Sequence, residues 1–183
     1  MAEQAWFSDQ TVVFIQEYGG TEINATVKVL NVNESGFERE TEGVPTFGGA
    51  KITKKLPQAD GEVEIEMVLT NTMADKIFWG STVAGTAPAS VTSDGEQNAH
   101  RVVLLRTAAT VLPTSATAAV TGETYRKTYV NAYAVTLEPE QAADDFLKAT
   151  LTFKISPTDS DAAANVTAAY DATSMTGLSA YTA

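Results

Sequence analysis

The chain has 183 residues and a formal net charge of −11, from 12 basic and 23 acidic side chains, with no cysteine and one histidine, His100. This length suits a single domain with its own core. The lack of cysteine excludes disulfides, thiolate metal sites and thiol nucleophiles, and one histidine excludes a multi-histidine metal site within a subunit. The acidic balance argues against a protein that grips nucleic-acid phosphates.

Membrane and secretion signals are missing from the sequence pattern. No apolar stretch approaches the roughly 20 residues that cross a bilayer. The first residues lack the basic start and the apolar segment of a signal peptide. We therefore expect a chain that is assembled in a cytoplasm and has no membrane partner.

Alternating apolar and polar residues predict a mostly β fold. In residues 147–156 the alternation is complete, and in residues 61–69 three valine, isoleucine or methionine residues alternate with Glu62, Glu64 and Glu66. Further strands are predicted at 11–18, 21–32, 47–56, 100–107 and 125–137. Residues 102–105 are apolar on both faces, which is typical of a central strand.

Two of these strands carry more detailed expectations. In 21–32, one face is predicted to hold Ile23, Ala25, Val27 and Val29. In 125–137, one face is predicted to hold Tyr125, Tyr129, Tyr133, Val135 and Leu137. Such a tyrosine face could stack nucleic-acid bases, but core or interface packing is favoured because the chain is acidic and few basic residues lie nearby.

One short helix is predicted at 72–79, capped by Asn71 or Thr72 and ended by Gly80. A further helical turn is predicted within 138–146. Residues 34–44 and 81–98 are predicted as loops. For the alanine- and threonine-rich residues 108–120, the sequence pattern leaves the secondary structure ambiguous. We divide the chain into a β domain at 1–156 and an extended C-terminal arm at 157–183.

The chain contains no recognised catalytic motif, which predicts a protein that is not an enzyme and needs no metal or cofactor. His100 is interpreted as a surface or strand-edge residue rather than a catalytic base. The Glu62, Glu64 and Glu66 carboxylates are interpreted as a solvated strand face rather than an acid–base site, since nothing apolar shelters them. The acidic loop 34–42 lacks the spacing of an EF-hand calcium site.

Three stretches resemble the tail tube protein, or major tail protein, of tailed viruses. They are GEVEIEMVLTNTMADKIFWG at 61–80, a strand leading into a short helix; YVNAYAVTLEP at 129–139; and DDFLKATLTFKIS at 144–156. The resemblance implies a β-sandwich or half-barrel with one flanking helix and long loops. It also implies hexameric rings whose inner strands join into one β-barrel, stacked into a tube through which genome DNA passes.

The same resemblance implies a place and partners. The chain would be part of a virion tail and assemble in the host cytoplasm, where its partners would be further copies of itself and other tail proteins such as the tape measure and the tail terminator. DNA would pass through without specific binding.

An acidic strand face suits the wall of such a channel, because it repels DNA phosphates at short range. The candidate lumen-lining residues are Glu62, Glu64 and Glu66. Neighbouring subunits must then overcome like-charge repulsion. The candidate inter-subunit contacts are three lysines facing an acidic loop of another subunit, namely Lys51, Lys54 and Lys55 against Glu38, Glu40 and Glu42.

Two other functions remain open. A capsid-decorating or tail-fibre-base β-sandwich would form trimers or monomers and bind a preformed shell. A ligand-binding β-barrel or hydrolase would show a closed pocket with convergent polar groups.

Overall fold

The computed structural model describes residues 11–45, 51–55, 58–69, 73–80, 97–141 and 146–182. Within these ranges, strands dominate and one α-helix, α1 (Met73–Trp79), is present. The strands are β1 (Thr11–Glu17), β2 (Ile23–Asn24), β3 (Val29–Gly36), β4 (Thr41–Pro45), β5 (Lys51–Lys55), β6 (Gly61–Val68), β7 (Ala99–Thr107), β8 (Val120–Thr121), β9 (Thr124–Glu140), β10 (Lys148–Ile155), β11 (Val166–Asp171) and β12 (Ser174–Met175).

Eight strands form one antiparallel sheet in the order β2-β1-β7-β9-β10-β6-β3, with β11 also paired to β9. The 17-residue β9 belongs to both halves of this sheet: its first part pairs with β7 and β11, and its last part pairs with β10. Side chains from both halves meet in one buried cluster. The predicted mostly β fold, a β-sandwich or half-barrel with one flanking helix, is therefore confirmed.

The main core lies between these two halves of the sheet. Val13, Val102 and Tyr129 enter it from one half, and Ile65 and Phe153 enter it from the other. Helix α1, predicted within one residue, adds Ala74 and Ile77. Each large apolar side chain removed from water in this way contributes about 1.5–3 kcal/mol to stability.

A second, smaller core covers the other face of β1 and β7. Phe14 and Leu105 pack there against Ala116 and Val120, with Leu178 at the margin. Residues 108–120, which the sequence left open, thus form an outer layer together with part of the C-terminal segment. The prediction that residues 102–105 are buried on both faces is confirmed.

The prediction of a single strand at 21–32 is wrong. The chain forms the short β2, a 3-10 turn at Thr26–Lys28 and then β3. Polar side chains stabilise the turn: the side-chain Oδ1 of Asn24 accepts a hydrogen bond from the Thr26 backbone N–H (3.1 Å), and the Thr26 hydroxyl accepts one from the Val13 N–H (3.0 Å). Such side-chain bonds compete with strand pairing.

The predicted single face along 125–137 is also wrong, because the strand is bulged. Asn131 has a φ of 52°, and the register between β7 and β9 shifts at this point. Tyr129 is fully buried, whereas Tyr133 and Val135 beyond the bulge are about 40% and 38% exposed. Tyr129 thus packs in the core, as favoured from the sequence, while Tyr133 faces outward.

Several predicted loops contain strands. The segment 34–44 includes the end of β3 and all but the last residue of β4, which pairs with β5 in a separate two-stranded sheet. The helical turn predicted within 138–146 is replaced by β9 as far as Glu140; residues 142–145 lie outside the described ranges. Most of the predicted loop 81–98 also lies outside them.

The segment 157–183 pairs with the β domain at two places. Strand β11 pairs with β9, and β12 pairs with β8. The side chains of β11 are mostly exposed on both faces, so the sequence shows no alternation there. The division into a 1–156 domain and a C-terminal arm stays a prediction. No helix in the described ranges is both long and apolar enough to span a membrane.

Candidate assembly surface

We use the term polar face for the side of the strands β9, β10, β6 and β3 that points away from the core. Its centre is β6, where Val63, Ile65 and Met67 are completely buried and the residues between them are partly exposed. Glu62, Glu64 and Glu66 therefore lie side by side on the polar face, as the alternation predicted.

Each glutamate of this row faces a neutral or basic residue on the adjacent strands. Ser35 and Lys154 lie opposite Glu62, Asn33 and Thr152 lie opposite Glu64, and Asn31 and Thr150 lie opposite Glu66. The Asn33 amide donates a hydrogen bond of 3.0 Å to the Glu64 carboxylate. Because like charges directly opposite one another destabilise a sheet, this register lets three carboxylates share a face without cross-strand repulsion.

The polar face as a whole is acidic. The last part of β9 adds Glu138 and Glu140, which lie opposite Thr150 and Lys148. The four strands thus carry five glutamates and two lysines on this side, the second lysine being Lys154. Lys154 also lies 4.0 Å from the Asp60 carboxylate, at the edge of the face.

The four strands of the polar face end in two open edges within the described ranges. β3 pairs only with β6, and the pairing of β9 with β7 stops at Tyr133, which leaves the outer edge of 134–140 without a described partner strand. Because all the pairs are antiparallel, β9 and β6 run one way and β10 and β3 the other. Open edges of this kind present unpaired backbone groups to another chain.

The residues predicted for inter-subunit contacts lie in and before the β4–β5 hairpin. Glu38 and Glu40 are exposed and precede β4. The hairpin register places Glu42 directly opposite Lys54, while Lys55 and Lys51 lie opposite Thr41 and Pro45. Glu42 and Lys54 are thus neighbours within one chain, and the contact between subunits stays a prediction.

His100 lies in the core, so the surface position expected from the sequence is wrong. Its side chain is 4% exposed, and its ring lies edge-on to Phe153 with centroids 5.6 Å apart. Burial lowers the pKa of His100 despite backbone hydrogen bonds that oppose the shift. The His100 imidazole is therefore held neutral where it packs on the Phe153 ring.

A half-open groove of about 620 Å³ lies beside one end of the polar face. Tyr133 and Val135 form its apolar part, and polar groups from Asp60, Lys154 and Asp159 surround them. The sequence did not reveal this groove, because it depends on the bulge at Asn131 that turns Tyr133 and Val135 outward. Among the described residues, no group of three or more acidic or histidine side chains is placed to hold a metal ion.

Comparison with known proteins finds similarity in structure but not in sequence. No protein-family model and no curated sequence matches the chain. A chain in the cryo-EM structure of the anti-feeding prophage cap, a tube-terminating cap, aligns with a TM-score of 0.52 and 8% identity, covering 93% of this chain and 95% of that one.

Two further cryo-EM structures give similar values. A chain of the sheath-tube complex of the extracellular contractile injection system PVC in the extended state aligns with a TM-score of 0.53 and 12% identity, covering 92% of this chain and 94% of that one. A chain of the anti-feeding prophage baseplate, determined with 6-fold symmetry, aligns with a TM-score of 0.54 and 12% identity, covering 92% of this chain and 97% of that one. Over nearly its whole length, the chain therefore shares its fold with chains of the anti-feeding prophage cap and baseplate and of an extracellular contractile injection system.

Proposed function

We propose that the chain is a structural subunit of a tail tube, in which hexameric rings stack around an acidic lumen. The observation that carries this proposal is the polar face: a four-stranded acidic sheet whose two edges are open among the described residues. The shared fold with chains of tube, cap and baseplate assemblies supports a role in a viral tail or a tail-like particle.

The strand directions favour ring formation through these edges. When β3 of one copy lies beside 134–140 of β9 in the next, the two strands run antiparallel, as do all pairs within the sheet. A rotation that repeats this contact closes a ring and leaves no open edge. The resemblance to tail tube proteins and the 6-fold symmetry of the baseplate structure both favour six copies.

In such a ring the polar face lines the channel. The Glu62, Glu64 and Glu66 side chains then face DNA, which carries about one charge per 1.7 Å of its axis. Because screening at physiological salt limits repulsion to about 8 Å, the carboxylates act as a non-adhesive wall rather than as a long-range barrier. This arrangement lets the genome pass without being bound.

The test is whether the face encloses a channel. The purified chain and the variant E64K/E66K, whose lysines face only neutral residues across the sheet, are assembled at high concentration with a short DNA duplex, imaged by negative-stain electron microscopy and treated with nuclease. D75K/E123K changes the charge equally but away from the polar face. We expect rings or tubes in all three samples, and nuclease-resistant DNA only with E64K/E66K, because only lumenal lysines hold DNA where nuclease cannot reach it.

Other results would contradict parts of the proposal. Persistent monomers or trimers that bind a preformed shell would favour a capsid-decorating or tail-fibre-base protein. Equal nuclease protection with E64K/E66K and D75K/E123K would show that the polar face does not line the channel.

A further inference from the structure

The two open edges of the polar face differ in charge. Along the edge of β3, the side chains on this face are those of Asn31, Asn33 and Ser35, all of them neutral. Along the edge of β9, Glu138 and Glu140 lie on this face. Because like charges directly opposite one another destabilise a sheet, two β9 edges repel each other, whereas the β3 edge can accept a β9 edge. The charge pattern therefore favours contact between unlike edges, which is the heterologous contact that a ring requires.

The regular backbone limits where the two edges can meet. β3 pairs with β6 without interruption from Asn31 onward, and β9 pairs with β10 without interruption over 136–140; each stretch is preceded by a bulge. A slip of one residue would turn the polar side chains of one strand to the core side, so only shifts of two keep the faces aligned. The register with Asn31 opposite Glu140 and Ser35 opposite Thr136 aligns the two regular stretches in full. A shift of two residues in either direction brings a bulge or a strand end into the contact.

We propose that β3 of one copy pairs with β9 of the next in this register, with the Asn33 amide between Glu64 of its own chain and Glu138 of the neighbouring copy. A primary amide has two N–H donors. One N–H of Asn33 binds the Glu64 carboxylate at 3.0 Å, which leaves the second for a carboxylate on the open side of β3. This inference rests on the proposed tube function and names the contact that joins the subunits of one ring.

The second asparagine repeats the arrangement. Asn31 lies opposite Glu66 in its own chain, and the register sets it opposite Glu140 of the neighbouring copy. Glu140 also lies opposite Lys148 within its own chain, so it has a basic residue on one side and a neutral amide on the other. Glutamates of adjacent copies are thus separated by asparagines, as Glu64 is flanked by neutral residues within one chain.

Pro139 is compatible with this register, in which it lies opposite Val32 on the core side. A proline in an edge strand has its nitrogen toward the open edge, so the backbone groups of the adjacent Glu138 point to β10. Glu138 and Asn33 then form a non-hydrogen-bonded pair, in which the Cα atoms are only about 4.5 Å apart and the side chains lie close together. The missing N–H of Pro139 removes one backbone hydrogen bond from the contact but leaves the side-chain contact in place.

The absence of cysteine in the chain permits a direct test of the register. The full-length variant N33C/E138C is assembled, oxidised and separated on a denaturing gel. We expect a ladder of disulfide-linked multimers that ends at the size of one ring, because β10 and β6 separate the two positions within a chain. The matched control N33C/E140C moves one cysteine two residues along the same face, where a diagonal pair is about 7–8 Å apart, too far for a disulfide. It should stay largely monomeric.

A charge test measures the same contact without cysteine. N33D sets a carboxylate against Glu64 in its own chain and against Glu138 of the neighbour, so we expect a lower urea midpoint and ring assembly at about fivefold higher concentration. Adding E138Q should restore ring assembly but not the urea midpoint, because Glu138 and Asn33 are distant within one chain. Adding E140Q instead should restore assembly much less.

The outcomes separate this contact from the proposed function. Wild-type rings with no ladder from N33C/E138C, together with equal rescue by E138Q and E140Q, would overturn the contact while leaving the tube function in place. A ladder from N33C/E140C alone would overturn the register. If N33C/E138C does not assemble, selective rescue of N33D by E138Q still supports the contact, and its absence contradicts it. Failure of the wild-type chain to form rings would contradict the proposed function and this contact together.

Discussion

The Arg101 guanidinium lies 3.7 Å from the Glu22 carboxylate, and the two side chains are only 5% and 15% exposed. Arg101 also donates hydrogen bonds to the Ser179 carbonyl oxygen (2.6 Å) and to the Gln16 side chain (2.7 Å), and Glu22 accepts one from the Ala116 backbone N–H (2.9 Å). This ion pair therefore ties β7 to the outer layer and to the C-terminal segment.

Arg101→Met should destabilise the fold strongly. The substitution removes the cation from a buried pair and leaves the Glu22 carboxylate without it, a change that costs about 3–5 kcal/mol in comparable sites. Urea unfolding followed by circular dichroism measures the loss. Arg106→Met, on the same strand but exposed, serves as the control and should change the free energy of unfolding by less than about 0.5 kcal/mol. An equal loss in the free energy of unfolding in the two variants would show that the buried ion pair is not the cause of the destabilisation.

Gly177→Ala should loosen the C-terminal segment. A Cβ atom at this position would lie 1.9 Å from the Thr117 carbonyl oxygen, so the backbone of one segment must move. The movement should break the hydrogen bond from the Leu178 N–H to the Ala116 carbonyl oxygen (2.9 Å) and cost about 1–3 kcal/mol, as other overpacked sites do.

Amide hydrogen exchange at Leu178 provides the measurement for this substitution. Exchange should be much faster in Gly177→Ala than in the wild type. Ser179→Ala changes an exposed side chain two residues away and should leave the exchange rate unchanged, since only the Ser179 carbonyl oxygen binds Arg101. Unchanged protection in Gly177→Ala would mean that the close approach to Thr117 is not maintained in solution.

Glu34 should make the stability of the protein depend on acid pH. Burial alone would raise the pKa of this carboxyl group, but hydrogen bonds from Lys127 and the Tyr129 hydroxyl outweigh it and lower the pKa below its ordinary value. A lowered pKa in the folded state stabilises the protein above the ordinary pKa, and the contribution is lost as the pH falls through the folded-state value.

Glu34→Gln tests this contribution. At pH 7 the variant should be less stable by about 1 kcal/mol, a value reduced because the Glu34 side chain is still 24% exposed to screening solvent. The difference from the wild type should shrink as the pH is lowered from 5 to 3. Urea unfolding at several pH values measures it, with the exposed Glu40→Gln as control. A difference between Glu34→Gln and the wild type that stays constant with pH would contradict the assignment.

The sequence predicted well those parts of the fold in which a single local pattern of apolar and polar residues determines the structure. β6 and β10 bury one face against the core, so their alternation gave both the strands and the shared face of Glu62, Glu64 and Glu66. Helix α1 has its own apolar face, and Gly80 directly follows its last residue and ends it.

The parts that were missed depend on contacts distant in sequence or on single backbone angles. The left-handed Asn131 reverses which side of β9 faces the core, and nothing in its neighbours indicates this. β11 is defined by pairing with β9 rather than by burial, so it leaves no periodic signal. The groove combines both kinds of information, since its apolar residues are exposed by the bulge and Asp159 comes from the segment that leads to β11.

Neutralising part of the acidic row should ease assembly without affecting the fold. Glu62 and Glu66 are partly exposed and face Lys154, Ser35, Thr150 and Asn31 across the sheet, so E62Q/E66Q should change the free energy of unfolding by less than about 0.5 kcal/mol. In a ring, however, the row is brought close to its copies, and the repulsion among them is screened by salt.

Assembly of the wild type should therefore increase with salt, and assembly of E62Q/E66Q should already be extensive at low salt. Analytical ultracentrifugation from 20 mM to 500 mM NaCl measures the assembled fraction. D75N/E123Q removes the same amount of charge elsewhere. Its assembled fraction should depend on salt as that of the wild type does, because the repulsion that opposes assembly is concentrated around the channel. Identical salt dependence in the two double variants would indicate that total charge, rather than the polar face, opposes assembly.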